Sequence, residues 1–117
     1  MERFGPDLLR GSLDMMVLSI LAGGRTYGYQ LQTSLRDASS NLVQISAGTL
    51  YPLLHRLEAD ELILSEWDET TGRRRKWYEL TKAGRKRLAT QAHQWDAYVQ
   101  CVRSLLEPIR AALPKPV

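Results

Sequence analysis

The chain has 117 residues, enough for one small domain, and at 44% hydrophobic and 25% charged its composition is that of an ordinary globular fold. Sixteen basic residues against thirteen acidic ones leave a net charge of only +3, so a polyanionic partner would have to be met by clustered cations and not by bulk charge. The single cysteine excludes an intramolecular disulfide and a cysteine-based metal site, and no apolar run matches a membrane span or a signal peptide, so the expected location is the cytoplasm.

Residues 1–7 form a lead-in whose Pro6 suits the first position of a helix. Leu9, Leu13, Met16, Val17, Ile20 and Leu21 then fall at helical spacing up to Gly23-Gly24, and the start is either Pro6 or a cap at Ser12. A second helix is expected from Tyr27 to Ala38, burying Tyr27, Leu31, Leu35 and Ala38. Ser39-Ser40-Asn41 is a loop, and Leu42–Ile45 reads as a short extended segment able to pair with a later hairpin.

The stretch from Ser46 to Glu58 organises the rest. Leu50, Leu53, Leu54 and Leu57 follow the i, i+3, i+4, i+7 spacing of a helix with one buried stripe. The outer face carries Gly48, Pro52 and His55, flanked by Thr49, Tyr51 and Arg56, with no acid until Glu58. Hydroxyl, phenol, imidazole and guanidinium groups all reach phosphates and base edges. Ser46 is the expected cap, which would leave first-turn N–H groups to meet a phosphate. Pro52 lacks an N–H, so a loose or 3₁₀-like first turn is expected, with regular helix from about Tyr51.

Two strands follow, Leu62–Asp68 and Arg75–Leu80, joined by the polar loop Glu69–Arg74. Arg73, Arg74, Arg75 and Lys76 are consecutive, so along a strand they alternate between faces and cannot all serve one salt bridge. A helix followed by a hairpin with a cationic tip is the order of a winged helix-turn-helix. After Thr81, a good cap, Leu88, Ala92, Trp95, Val99, Val102, Leu106, Ile109 and Leu113 alternate steps of four and three. That is a seam for packing against another helix, here expected to be the same helix of a second subunit. Pro108 interrupts it near the end. The expected fold is mainly α with a small β-hairpin. Residues 1–80 would form the winged helix-turn-helix domain and 81–117 the dimerisation helix.

Leu9-Arg-Gly-Ser-Leu-Asp14, Tyr27-Gly-Tyr29, Gly48-Thr-Leu-Tyr-Pro52, Leu57-Glu58 and Gly72-Arg-Arg-Arg-Lys-Trp-Tyr-Glu-Leu-Thr81 together resemble the PadR family of bacterial transcriptional regulators, in its short form with a single C-terminal dimerisation helix. The resemblance spans roughly residues 8 to 95. Glu61 stands where the family usually has glycine after the recognition helix, and Trp77 where tyrosine is usual. The resemblance implies a repressor. It also implies that Trp95 lines an interface cavity able to stack flat aromatic ligands, as in multidrug-sensing relatives.

The expected function is sequence-specific binding of double-stranded DNA by a homodimer on a palindromic operator, with half-sites a helical turn or a multiple of it apart. The residues expected at DNA are Tyr27, Ser46, Thr49, Tyr51, His55 and Arg56 from the helices, and Arg73, Arg74, Arg75 and Lys76 from the wing. Those expected at the dimer interface are Leu88, Ala92, Trp95, Val99, Val102 and Leu106. His55 and His93 have no partner pattern for zinc or catalysis, so no metal, cofactor or enzymatic activity is expected. The alternatives are a winged-helix protein-interaction module, which need not keep its helix face and wing clear of acids, and a winged helix of another regulator family.

Overall fold

The computed structural model describes Leu9 and residues 11–117 of the chain. The possible helix start at Pro6 lies outside the described residues. Helix α1 runs Leu13–Ala22 behind Ser12, whose hydroxyl donates to the Leu9 carbonyl at 3.1 Å. Gly23 closes it. Val17, Leu18 and Leu21 are fully buried, with Leu13, Met16 and Ile20 partly so, because α1 packs against the next helix, the sheet and the C-terminal helix at once. A stripe one face wide therefore understates its burial, and Leu18 is the residue it omits.

Thr26–Tyr27 forms strand β1 and leads straight into α2 (Gly28–Ala38). The Gln30 side chain covers the start of α2, its Oε1 accepting from the Tyr27 N–H at 3.3 Å and the Thr26 hydroxyl at 2.9 Å. Leu31 and Leu35 are buried as expected, whereas Ala38 is exposed at the helix end. Helix α3 (Ala47–Ala59) follows, then strands β2 (Ile63–Asp68) and β3 (Arg75–Leu80).

The sheet is antiparallel with order β1-β3-β2, so β1, not Leu42–Ile45, is the third strand. The 42–45 segment is occupied otherwise. Gln32 Nε2 donates to the Ile45 carbonyl at 2.9 Å, and the Val43 N–H donates to Ser39 Oγ at 2.9 Å. Those bonds tie it to α2 while Val43 enters the core.

Helix α3 is regular from its first residue, against the expectation of a loose turn before Tyr51. The Thr49 N–H donates to Ser46 Oγ, capping the helix, and Pro52 sits inside it on the exposed side. A mid-helix proline costs about 3 kcal/mol, while each fully buried leucine contributes about 1.5–3 kcal/mol. Leu50, Leu53, Leu54 and Leu57 are all buried, and together they outweigh the proline.

The end of α3 has full Schellman geometry. The Leu62 N–H donates to the Leu57 carbonyl and the Glu61 N–H to the Glu58 carbonyl, both at 3.0 Å, with Glu61 at φ 60°. The Thr81 hydroxyl donates to the Glu61 carbonyl at 2.8 Å, so the strained residue also anchors the next helix. Helix α4 (Lys82–Leu106) is capped by Thr81 Oγ1, and a 3₁₀ turn over Glu107–Ala112 follows at Pro108. Gly84 brings α4 onto the residue before β2 so closely that a Cβ there would lie 1.9 Å from the Leu62 carbonyl oxygen.

A Cβ at a left-handed residue costs about 1–2 kcal/mol, offset in part by the greater chain entropy that glycine loses on folding. Glu61→Gly should therefore stabilise the fold by about 0.4–1 kcal/mol in denaturant or thermal melts. A loss of stability would mean that the Glu61 side chain contributes more than its backbone strain removes.

Candidate nucleic-acid interface

With the leucine stripe turned inward, α3 presents the rest of its surface outward. His55, Thr49 and Ser46 are exposed, and Tyr51 is half-buried with its ring over Gly28. A Cβ at Gly28 would stand 2.9 Å from the Tyr51 hydroxyl, so a larger residue there would push the tip of the Tyr51 ring aside.

Between this face and the hairpin lies an open groove of about 710 Å³, lined by Tyr27, Gly28, Tyr29, Tyr51, His55, Trp67, Arg73, Arg74, Arg75, Lys76 and Tyr78. The lining holds four cations and no carboxylate. It joins seven of the residues expected at DNA: Tyr27, Tyr51, His55 and the whole basic run. Ser46 and Thr49 lie outside it, their side chains bonded to each other at the start of α3. Arg56 is also outside. Its guanidinium is held at 2.5 Å by Asp14 of α1, which directs it to the flank of α3.

The wing cations are ordered by aromatic rings. Arg74 lies 4.0 Å over Trp67 and pairs with Glu69 at 3.3 Å, and Lys76 sits 5.4 Å from the same indole. Arg75 stacks 3.8 Å over Tyr27 and donates to the Tyr29 hydroxyl at 3.2 Å and to Thr71 Oγ1 at 3.3 Å. Trp77 stacks on Tyr27 with centroids 3.6 Å apart, and two groups this close must occupy opposite faces of the phenol ring. Arg25 closes the stack 4.7 Å over Trp77. Arg73 has no ion pair or hydrogen bond among the described residues.

Tyr27 is a correction. It is only 6% exposed, so its hydroxyl does not reach outward to a phosphate. The hydroxyl donates instead to Asp68 Oδ2 at 2.6 Å, and burial together with that bond raises its pKa. Asp68 also accepts from the Trp77 indole at 3.0 Å, and from the Thr70 N–H and hydroxyl at 2.9 and 2.6 Å. Led by the Thr70 hydroxyl and then Tyr27, these donors hold its carboxyl well below the usual carboxylate range. Sequence reasoning missed Asp68, Tyr29 and Trp67. An acid beside a basic tip and an aromatic one residue past a helix start have no spacing signature.

The seam on α4 divides. Leu88 is half-buried against the chain's own core. Further along, Trp95, Tyr98 and Leu105 are exposed by 43%, 60% and 71%, while Val99, Val102 and Leu106 are half-buried and Ala92 is exposed. Beside Trp95 is a cavity of about 350 Å³ lined by Gly11, Met15, Gln91, Gln94, Trp95 and Tyr98, and the buried Oε1 of Gln91 has no partner among the described residues.

A helix-turn-helix whose second helix exposes an acid-free face beside a basic two-stranded wing defines the winged helix-turn-helix class. Residues 17–90 match the model of the PadR-like family of transcriptional regulators, and the chain belongs to that family. It is similar to a transcriptional regulator of Mycobacterium tuberculosis, 40% identical over 82 residues that make up 70% of this chain and 74% of that one. Among solved structures it resembles a PadR family regulator of Eggerthella lenta, 42% identical with a TM-score of 0.78 over 86% of this chain and 87% of that one. A transcriptional regulator of Clostridium thermocellum is similar at 31% identity, with a TM-score of 0.80 over 86% and 99% of the two chains. The protein is thus a DNA-binding transcriptional regulator and not an enzyme. No described helix is long and apolar enough to cross a membrane.

Proposed function

We propose that the protein is a homodimeric repressor that binds a palindromic operator, with α3 in the major groove and the wing on the flanking backbone or minor groove. The observation that carries this reading is the groove between them, where the exposed α3 face meets four cations with no acid in its wall. Base contact falls to His55 and, once Asp14 releases it to DNA, Arg56. Ser46, Thr49 and Tyr51 serve phosphates, as do Arg73, Arg74 and Lys76. Tyr27 serves the interface indirectly, by holding Arg75. Repression follows from the family resemblance.

Residues 1–80 act as the DNA-binding unit and 81–117 as the dimerising one. What supports dimerisation is the apolar surface that α4 and the turn after it leave exposed from Trp95 to Leu113, a length of chain that its own core does not cover. The cavity beside Trp95, with an indole wall and an unpartnered amide oxygen, supports an inducer site for flat aromatic molecules.

Three measurements test these assignments. Arg73→Ala combined with Arg74→Ala should weaken binding to operator and to random DNA by similar factors. It should also flatten the dependence of log K on log salt by about 0.9 for each phosphate no longer neutralised. An unaltered slope would remove the wing from the interface. Val99→Glu with Val102→Glu should turn a dimer into monomers in light scattering, and a persistent dimer would place the interface elsewhere. Planar dyes should quench tryptophan fluorescence in the native protein but not in Trp95→Ala; equal quenching in both would remove Trp95 from any ligand site.

A further inference from the structure

The base of the wing is fixed by Ile63, Tyr78 and Leu80 in the core, but beyond Tyr78 the two strands run outward to an exposed turn. The outer half carries the cations, so their pose relative to α3 depends on whatever ties that half to the helices. β1 reaches only as far as two registered pairs, Thr26 with Tyr78 and Tyr27 with Trp77. Past that point Arg75 reaches Tyr29 and the Tyr27 ring, and a half-buried knot of hydrogen bonds gathers on one carboxylate. Asp68, the last residue of β2, stands opposite Arg75 and receives donors from three places: Thr70 in the turn, Trp77 on β3, and Tyr27 at the start of α2.

We propose that Asp68 is a positioning residue for DNA binding, which fixes the outer wing against the start of α2 through the Tyr27 hydroxyl and the Trp77 indole. The inference rests on the reading of groove and wing as the DNA-binding surface. Asp68 has no ion-pair partner among the described residues, so its charge is satisfied by donated hydrogen bonds alone. Its two oxygens are engaged by four donors, and none of it is offered to a polyanion. Tyr27 transmits the constraint, since the ring that Asp68 anchors is the one on which Arg75 stacks. A wing freed from this knot would spend part of its time with Arg73 and Arg74 turned away from α3. The apparent affinity would then fall in proportion to the time spent in the competent pose.

The test compares Tyr27→Phe, which deletes one hydroxyl and leaves the turn capped, with Asp68→Asn. Affinity for a random-sequence duplex is measured across a salt series, at a temperature where melts show every protein folded. Tyr27→Phe, which changes no charge, should bind about 3–10-fold more weakly with the native salt slope, and Asp68→Asn should also bind more weakly although it removes a negative charge beside the wing, because the wing's pose is loosened while every phosphate partner remains. Amide hydrogen exchange across residues 69–76 should quicken in both. If Tyr27→Phe lowers the melting temperature but leaves affinity unchanged, the knot serves stability alone and the proposal is overturned. A slope reduced by about one would mean that a cation, Arg75 on the Tyr27 ring, has lost a phosphate, so that the effect is a missing contact and not a loosened wing, which also overturns it. Arg73→Ala, measured alongside, keeps the two readings apart. If it alters neither affinity nor slope, the wing's role in DNA binding is what fails. If it responds as expected, the Tyr27→Phe result judges Asp68 alone.

Discussion

The burial of four leucines along one side of α3 is the constraint from which the rest of the molecule follows. At about 1.5–3 kcal/mol each, Leu50, Leu53, Leu54 and Leu57 contribute as much as the whole net stability of a typical small domain. An exposed ion pair such as Arg56 with Asp14 contributes about 0–1 kcal/mol. Packing therefore decides how the helix lies. The polar residues on its other side, His55 among them, take no part in the core, and the helix tolerates Pro52 because its stability does not depend on one backbone hydrogen bond.

The wing is organised on a different principle. Its cations contribute little to folding, because a stacking interaction on an exposed ring such as Trp67 is weak, at about 0.5–1 kcal/mol. What the stacking supplies is direction. Long, flexible arginines are held over Trp67 and Tyr27 on the side of the groove, so less side-chain freedom remains to be given up when a polyanion arrives. Tyr27 belongs to both systems, being the residue before α2, a strand partner of Trp77 and the platform for Arg75. Helix packing and wing orientation are thereby coupled through one side chain.

Much of this was legible in the sequence, where a periodic pattern carried it. The leucine stripe of α3, the strand Arg75–Leu80 and the cap at Thr81 all stand where spacing and residue type place them. The third strand did not, because two residues have no periodicity, and Leu42–Ile45 has a strand's composition while its bonds go to side chains of α2 and the loop after it. Tyr27 was legible as important but not as buried, since its partner Asp68 lies 41 residues away. Leu88 fits the seam's spacing, yet within its own chain it packs, half-buried, against the core. In each case the missing information was a neighbour distant in sequence.

In this reading one face of the molecule, made by α3 and the wing, meets the DNA. The most direct test is a titration of isotope-labelled protein with a short random-sequence duplex at low salt, followed by amide chemical shifts. The largest changes should fall in residues 46–56 and 69–76, with the exposed end of α4 beyond Trp95 unaffected. Changes concentrated on that end of α4, with the groove between α3 and the wing silent, would contradict it.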